Sequence, residues 1–495
     1  LFIDQGGNIN PDNVPAFLGA EWGNLAPFSL DKNKSIILQR DSNQYKIYHD
    51  PKNPPYIEEV DTSVFKGLQS FYKYGHAMVA QWSTHLDKDN ETLWDISPKS
   101  IGNTGKLPET PEEYLRFYDF ENGGVTDHGY QLNPKTGNPY EPQWVKRADY
   151  ARVLAEYWAD GPNSETPPGH WFSIFNHAND HPAMIRKFNG QGPLMDTLEW
   201  DIKAYFALGG TVHDASIAAW SVKGYYDYVR PISAIRGMAE LGQSSDPELP
   251  RLHHNGLPLH PGFVELVTKS DPLVGINQEN LWELKIKAWR GYNFLTEESG
   301  NVAGVGWILA KNFVPYQRAT FVTPPFGGYA SGHSTFSRAA AELLTLFTGD
   351  AFFPSGIAEF HAPANTFLIH ESGPTQEITL QWATYRDAAD QCSLSRIWGG
   401  IHPPQDDIPG RIIGEKVGKH AFEKCLPIFY IDQDDDGFYN YLDCNDINPL
   451  INPNTVWWAD GDQDGFINKS DSIIQGTQPQ HDILISESKG IHGDD

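Results

Sequence analysis

The sequence Tyr329-Ala-Ser-Gly-His-Ser-Thr-Phe-Ser-Arg338, followed by the apolar run Ala339-Ala-Ala-Glu-Leu-Leu344, predicts a glycine-containing turn that opens a helix. Ser331 is a favourable N-cap, and alanine, glutamate and leucine are strong helix formers. The first turn of such a helix leaves backbone N–H groups unpaired at the positive end of the helix dipole, which suits an oxyanion. Ser331 would add a hydroxyl, Gly332 an unhindered amide, and His333 a proton-transfer group. Taken alone, the stretch fits an ordinary capped helix better than a binding site.

The composition indicates a large acidic protein with enough apolar residues for a substantial core. The chain has 495 residues, of which 39% are hydrophobic and 13% aromatic, and its net charge is −27. This charge argues against a nucleic-acid partner, and no apolar run is long enough to predict a membrane span. Because the protein as a whole is negatively charged, an anion site would need positively charged side chains close to the anion. The chain begins at Leu1 without a methionine, so we expect that a targeting segment has been removed and that the protein is exported.

Periodicity divides the chain into three predicted parts. Residues 1–146 predict an irregular N-terminal arm with accessory helices, and residues 426–495 form an acidic C-terminal segment. Residues 147–425 predict a helical bundle in which strand-like alternation is scarce, so the expected fold class is mainly α. Helices are expected over 63–84, from Thr110, and over 148–158, 193–222, 275–298, 301–313, 333–348, 377–392 and 408–424.

A second notable segment is Lys223-Gly-Tyr-Tyr-Asp-Tyr-Val-Arg230-Pro231, which holds two cations seven residues apart. On a helix this spacing is two turns, so both head groups would project from one face. Pro231 disfavours helix at Arg230, so we expect the arginine where the helix ends, able to reach across a pocket. The neighbouring aromatic residues favour burial of this segment over a solvated basic face.

The third segment is Ser395-Arg396-Ile-Trp-Gly-Gly-Ile-His402-Pro-Pro-Gln-Asp406. Its two glycines predict a tight turn that brings Arg396 and His402 inward, and its two prolines suit the start of a new helix. Asp406 would then accept a hydrogen bond from one ring nitrogen of His402 and fix its tautomer. Burying three cations without an anion is costly, so the three segments together indicate an oxyanion site.

These segments resemble, in order and in internal spacing, the signature segments shared by vanadium-dependent haloperoxidases and type 2 phosphatidic acid phosphatases. The resemblance covers about residues 147–425 and departs from the family pattern at Ala330, where proline is usual. It implies a helical bundle of the bacterial haloperoxidase type that binds one vanadate per chain. The implied vanadate-binding residues are Lys223, Arg230, Ser331, Gly332, His333, Arg396 and His402.

The resemblance also implies what individual residues do. His402 would be the axial ligand to vanadium, held by Asp406, and His333 would be the general acid–base. Lys223 would polarise the oxygen that halide attacks. Asp160 lies in a segment similar to one of bacterial and algal haloperoxidases and is a candidate partner for His333.

Trp220 and Phe326 would line a halide pocket, although neither residue decides which halide is used. The implied partners are hydrogen peroxide, halide and small organic acceptors, with iodide or bromide favoured over chloride. The oligomeric state, monomer or homodimer, is left open.

Two alternatives remain at this stage. One is an acid phosphatase on the same frame with His402 as nucleophile, and the other is a non-catalytic, calcium-dependent surface or matrix-binding protein.

The acidic C-terminal segment contains the same ligand spacing twice, 28 residues apart, beginning at Asp432 and at Asp460. Clustered oxygen ligands around a glycine turn suit calcium, and the pattern resembles thrombospondin type 3-like repeats. Two or more structural calcium ions would favour a secreted, periplasmic or cell-surface location. Cys425 and Cys444 are near enough in sequence to pair, leaving Cys392 free. The expected calcium ligands are Asp432, Asp434, Asp436, Phe438, Asn440, Asp443, Asp460, Asp462, Asp464, Phe466, Asn468 and Asp471.

Overall fold

The computed structural model describes residues 19–57, 71–160, 165–460, 463, 466–467, 472–480, 482–484, 486–488 and 490–491. Its helices are α1 (Phe71–Ser83), α2 (Pro111–Phe117), α3 (Arg147–Tyr157), α4 (Pro167–Asn179), α5 (Thr197–Tyr226), α6 (Pro231–Leu241), α7 (Gly332–Thr348), α8 (Tyr385–Trp398) and α9 (Pro404–Phe429). Its strands are β1 (Ile36–Arg40), β2 (Asn43–Ile47), β3 (Leu93–Asp95), β4 (Trp144–Lys146), β5 (Val264–Leu266), β6 (Leu284–Trp289), β7 (Val305–Leu309), β8 (Ala358–Ala362), β9 (Ile378–Trp382), β10 (Val456–Ala459), β11 (Phe466–Ile467), β12 (Ser472–Ile474), β13 (Asp482–Ile483) and β14 (Gly490–Ile491).

Helix α7 is the centre of the bundle and packs against α4, α5, α8 and α9. Three glycines of α9, at spacings of four residues, lie directly on its backbone. A Cβ atom at Gly410, Gly414 or Gly418 would stand 2.7, 2.5 and 2.5 Å from α7 carbonyl oxygens, so only glycine allows this close approach. The packing brings the N-terminal ends of α7 and α9 together.

The predicted mainly α fold class is confirmed, but two predicted helices are wrong. Residues 275–298 and 301–313 instead contribute to an antiparallel sheet with strand order β5-β6-β7. Along β6 the side chains alternate between buried and half-buried, which is the two-residue period of a strand covered on one face. Residues 377–392 are split between β9 and α8, and a capping box between Thr384 and Asp387 starts the helix.

The N-terminal region contains the helix start that the sequence predicts at Thr110, together with short strands. β1 and β2 pair as a hairpin, and α2 begins with a capping box between Thr110 and Glu113. Asp214 of α5 attaches the arm by accepting backbone hydrogen bonds from Phe28 and Ser29 at 2.7 and 2.6 Å. The predicted helix over 63–84 is seen as α1, and the part of it before residue 71 lies outside the described residues. Among the helices described, none is long and apolar enough to span a membrane.

The C-terminal segment is built from short strands and turns. β10 lies between β12 and β13, and β11 pairs with β14. The possible disulfide between Cys425 and Cys444 is absent, because both thiols are free, with Cys425 buried in α9 and Cys444 exposed.

Candidate active site

The N-terminus of α7 forms one wall of the site. Ser331 is the N-cap, and its hydroxyl accepts a hydrogen bond from the Ser334 amide at 3.3 Å. Its own amide donates to the Asp406 carbonyl at 2.8 Å, which joins this helix start to α9. A Cβ on Gly332 would lie 2.9 Å from the Trp220 ring, so the absence of a side chain keeps the first turn open beside that ring.

Lys223 lies in the last turn of α5, which ends at Tyr226. Arg230 is not on the same helix face, as the seven-residue spacing suggested, because Asp227 adopts a left-handed conformation that ends the helix. Arg230 is instead the residue before Pro231 at the start of α6, in extended conformation, as the proline predicted. Both side chains nevertheless reach the loop before α7. The Lys223 ammonium donates to the carbonyls of residues 327 and 328 at 3.0 and 2.7 Å, and the Arg230 guanidinium donates to the carbonyl of residue 326 at 3.0 Å.

The end of α8 and the start of α9 supply Arg396 and His402. A turn through Gly400, whose φ is +76°, points both side chains inward. His402 Nδ1 lies 2.8 Å from Asp406 Oδ2, and its Nε2 lies 3.1 Å from a terminal nitrogen of Arg230. Because a carboxylate only accepts and a guanidinium only donates, the neutral His402 carries its proton on Nδ1 and a lone pair on Nε2. This is the tautomer that a metal ligand requires.

His333 lies in the first turn of α7, and its hydrogen-bond partner differs from the expected one. Its Nε2 lies 2.8 Å from the carbonyl oxygen of Trp158, not on the carboxylate of Asp160. The Asp160 backbone carbonyl accepts from Arg318 at 3.0 Å, and burial raises the pKa of its carboxyl against the opposing charge of Arg396. Since a carbonyl only accepts, the neutral His333 carries its proton on Nε2 and a lone pair on Nδ1. The sequence offered no signal for this contact, because the partner is a backbone atom.

The site concentrates positive charge without matching carboxylates. Lys223 and Arg396 are 2% and 1% exposed, and neither forms an ion pair with any acidic side chain in the part of the chain that the structure describes. Arg396 instead donates to the Ala155 carbonyl and to Ser395 Oγ, both at 2.8 Å. Burial lowers the pKa of Arg396 to about 10 and holds the pKa of Lys223 well below its usual range, where the charge of Arg230 lowers it further.

The surroundings of both histidines disfavour the charged form. Burial is the main cause that keeps the pKa of His402 well below its usual range, and the charges of Arg230, Lys223 and Arg396 lower it further, outweighing the contact with Asp406. Burial and the charge of Arg396 have the same effect on the pKa of His333. An anion bound among these cations would reverse the electrostatic part of both shifts.

The two aromatic residues expected in a halide pocket lie together beside Lys223. The ring centroids of Trp220 and Phe326 are 5.3 Å apart, and the Lys223 nitrogen lies 5.8 and 5.5 Å from them. Phe326 also lies 5.4 Å from the Arg230 guanidinium. The geometry thus gives the site an apolar side next to its cations.

Sequence reasoning missed a buried ion network that supports the site from behind. Asp407, in the first turn of α9, accepts hydrogen bonds from Tyr118, Ser334 and Arg411 at 2.7 to 2.9 Å. Arg411 also binds Asp390 of α8 at 2.9 Å. The network therefore connects α7, α8 and α9 just beneath the residues that converge on the site. A spacing of four between Asp407 and Arg411 is the only signal that the sequence carried.

The structure also groups carboxylates in the first C-terminal loop. Carboxylate oxygens of Asp432, Asp434 and Asp446 lie within 4.8 Å of one another, and so do those of Asp434, Asp436 and Asp443. Asn440 pairs with Ile431 through both its backbone and its side chain. Of the second loop, Asp462, Asp464, Asn468 and Asp471 lie outside the described residues.

Comparison with family models finds one match, which covers the bundle. Residues 203–429, which include every cation and histidine of the site, match the family model described as "VCPO second helical-bundle domain". This region, less than half of the chain, is similar to that domain, and the match starts within α5 and ends at the last residue of α9.

Several solved structures also align with the chain. A holo-type bacterial vanadium-dependent chloroperoxidase aligns with 57% of this chain and 45% of its own at 19% identity and a TM-score of 0.38. A bacterial vanadium-dependent iodoperoxidase aligns with 55% of this chain and 43% of its own at 20% identity and a TM-score of 0.32. The alignments therefore span less than half the length of those proteins. A comparison with curated proteins finds no match.

Proposed function

We propose that this protein is a vanadate-dependent haloperoxidase, which uses hydrogen peroxide to oxidise halide to a hypohalous-acid equivalent. The observation that carries the proposal is the pair of buried cations, Lys223 and Arg396, that have no ion-pair partner in the described part of the chain and surround a helix N-terminus. Buried charges are normally paired, so this arrangement fits a bound oxyanion. The family match over residues 203–429 supports vanadate as that anion.

The donor set fits vanadate residue by residue. Lys223, Arg230 and Arg396 would neutralise its oxygens, and the Gly332 amide would donate to them at the positive end of α7. His402 would present the Nε2 lone pair as ligand, because its Nδ1 proton is held by Asp406. When bound, vanadate would supply a Lewis-acid centre that activates peroxide while the oxidation state of vanadium stays the same.

The protein side of the chemistry is proton transfer and electrostatic stabilisation. With its proton held at Nε2 by the Trp158 carbonyl, His333 has Nδ1 available to take a proton from an incoming acid and return it later. Lys223, buried and fixed by two carbonyls, would stabilise negative charge that develops on a reacting oxygen. Trp220 and Phe326 would keep the halide side of the site apolar.

We place iodide and bromide ahead of chloride, because halide oxidation becomes harder in that order. The test is halide oxidation by metal-stripped protein with peroxide, with and without vanadate, for each halide separately. Vanadate-dependent turnover is expected. Absence of turnover with every halide, together with phosphate-ester hydrolysis that vanadate inhibits, would refute the peroxidase and indicate a phosphatase in which His402 is the nucleophile.

We further propose that the acidic C-terminal loop binds calcium and that the protein acts outside the cytoplasm, where calcium is abundant. Both carboxylate oxygens of Asp434 are shielded from solvent, and four other carboxylates lie around them. Such an arrangement suits a hard cation with oxygen ligands. We expect Asp434→Asn to weaken calcium binding by at least about tenfold in calorimetry. Asp435→Asn, at an exposed neighbour, is the matched control and should bind normally; equal affinities would contradict the proposal.

A further inference from the structure

A cavity that contains none of the residues assigned to vanadate or halide lies between α3, α8 and two loops of the segment that connects β3 to β4. Its volume is about 180 Å³. This is several times the volume of about 30 Å³ that one water molecule takes up in the liquid, and it is below the range of about 300 to 1,000 Å³ usual for drug-sized ligands. The space therefore suits a small molecule of a few non-hydrogen atoms.

Three carboxylates line the cavity, and only one of them has a cationic partner. Asp390 binds Arg411 at 2.9 Å. Asp127 and Asp387 form no ion pair in the part of the chain that the structure describes, and their hydrogen-bond donors are neutral groups. Burial is the main cause that raises the pKa of Asp127 to about 7, and the charges of Asp387 and Asp390 raise it further. Burying carboxylates without a cation is costly, so the electrostatics of this cavity are the opposite of those of the vanadate site.

The two carboxylates without a cation hold a loop between them. Asp127 accepts a hydrogen bond from the Gly102 amide at 2.8 Å, and Asp387 accepts one from the Asn103 amide at 2.9 Å. A Cβ atom on Gly102, whose φ is +102°, would stand 2.9 Å from the carboxyl carbon of Asp387, which favours glycine where the loop passes this close. The hydroxyl of Thr104, which also lines the cavity, is shielded from solvent and has no hydrogen-bond partner among the described residues. The lining thus combines two uncompensated carboxylates with an unsatisfied hydroxyl group.

Much of the remaining wall is aromatic. Trp94, Tyr150 and Trp398 line the space, and their ring centroids are 6.0 to 6.2 Å from one another. The guanidinium of Arg147 lies 5.8 Å from the Trp94 ring, but it donates to the Asn122 carbonyl and does not line the cavity. Aromatic rings attract cations, and more strongly where water is excluded. Rings and carboxylates together favour a positively charged occupant with an apolar surface.

The carboxylates are not arranged for a metal ion. In the described part of the chain, groups of three carboxylates with oxygen atoms within 4.8 Å of one another are found in the C-terminal loop. The three carboxylates of the cavity do not form such a group, so they are too far apart to share one metal ion. A larger cation would be needed to contact them together.

We propose that this cavity binds a small organic ammonium ion, whose charge is compensated by Asp127 and Asp387 and whose alkyl groups contact the aromatic rings. Its N–H groups would donate to the carboxylates and to the hydroxyl of Thr104. The site shares no residue with the proposed vanadate chemistry and does not depend on it.

The test is calorimetry of tert-butylammonium chloride with the vanadate-free protein. The comparison ligand is tert-butanol, which has nearly the same shape and no charge. Saturable binding of the ammonium ion is expected, with no binding of tert-butanol at the same concentrations. Because the assay contains no vanadate, peroxide or halide, its outcome is independent of the proposed function.

Asp127→Asn keeps an acceptor for the Gly102 amide but removes the charge, so it should raise the dissociation constant of the ammonium ion at least about tenfold. Glu121→Gln is the matched control, because it removes one negative charge at an exposed residue of the same loop that does not line the cavity, and it should leave binding unchanged. Trp94→Leu removes one ring from the wall and should weaken binding about threefold or more, which provides a second variant if Asp127→Asn fails to fold.

Three results would overturn the proposal. The first is no saturable binding of the ammonium ion at concentrations up to about 10 mM. The second is equal binding of tert-butylammonium and tert-butanol. The third is an affinity for the ammonium ion that is the same in the wild type and in the folded cavity variants.

Discussion

Replacing Arg396 by methionine should barely change the stability of the vanadate-free protein while weakening vanadate binding about 100-fold. The matched control is Arg152→Met, because Arg152 is as deeply buried, at 0% exposure, but binds Asp149 and Glu371 at 2.5 and 2.9 Å. The two arginines differ in whether protein carboxylates neutralise them. The comparison therefore tests whether the charge of Arg396 is there for a ligand.

The expected changes in the free energy of unfolding follow from the surroundings of the two arginines. The lowering of the Arg396 pKa to about 10 corresponds to about 3 kcal/mol of unfavourable free energy for burying its charge. Methionine removes that term but also loses the hydrogen bonds to Ala155 and Ser395, worth about 1 kcal/mol each. We therefore expect a net change in the free energy of unfolding of at most about 1 kcal/mol. Arg152→Met leaves two buried carboxylates unpaired and should cost about 3 to 5 kcal/mol.

The assay is chemical denaturation of both variants, with and without vanadate at about 100 times its wild-type dissociation constant. Vanadate should stabilise the wild type by about 3 kcal/mol. If removing Arg396 weakens binding about 100-fold, the gain for Arg396→Met falls to about 0.4 kcal/mol. Our argument would be refuted by an Arg396→Met protein as destabilised as Arg152→Met, or one that vanadate stabilises as much as the wild type.

Two further predictions concern the histidines. His402→Ala should lose vanadate retention, measured as bound vanadium after gel filtration, whereas His333→Ala should retain vanadate but lose about 100- to 10,000-fold in turnover; normal retention by His402→Ala would refute the ligand assignment. Burial lowers the pKa of His76 in the folded protein to about 4, below the value of about 6.5 expected when unfolded. Because folded His76 binds a proton more weakly than unfolded His76, the wild type loses stability as the pH falls from 6.5 toward 4. Between pH 7 and 4, the free energy of unfolding of His76→Gln should therefore rise by about 3 kcal/mol relative to that of the wild type. Denaturation curves across that range check it, and a pH-independent difference would contradict it.

Local sequence was sufficient for the helix that opens the site. Ser331 as N-cap, the prolines that start α6 and α9, and the turn at Gly400 all follow from backbone preferences of single residues. Such preferences depend on a few neighbouring residues, so these local conformations form without information from distant parts of the chain. The strands β6 and β7 were missed for the opposite reason. Their short apolar patterns fit a helix as well as a strand, and only the pairing of the two strands selects the strand conformation.

The sequence by itself determined which charged groups enter the site, because their identities and spacings within each segment follow from the chain alone. Only the tertiary structure decided what each group contacts. It gave His333 the Trp158 carbonyl instead of Asp160, brought Arg230 within 3.1 Å of His402, and supplied the close packing of α7 on the glycines of α9. Backbone carbonyls have no side-chain identity, and contacts between residues far apart in the sequence depend on how helices pack, so no local pattern records them.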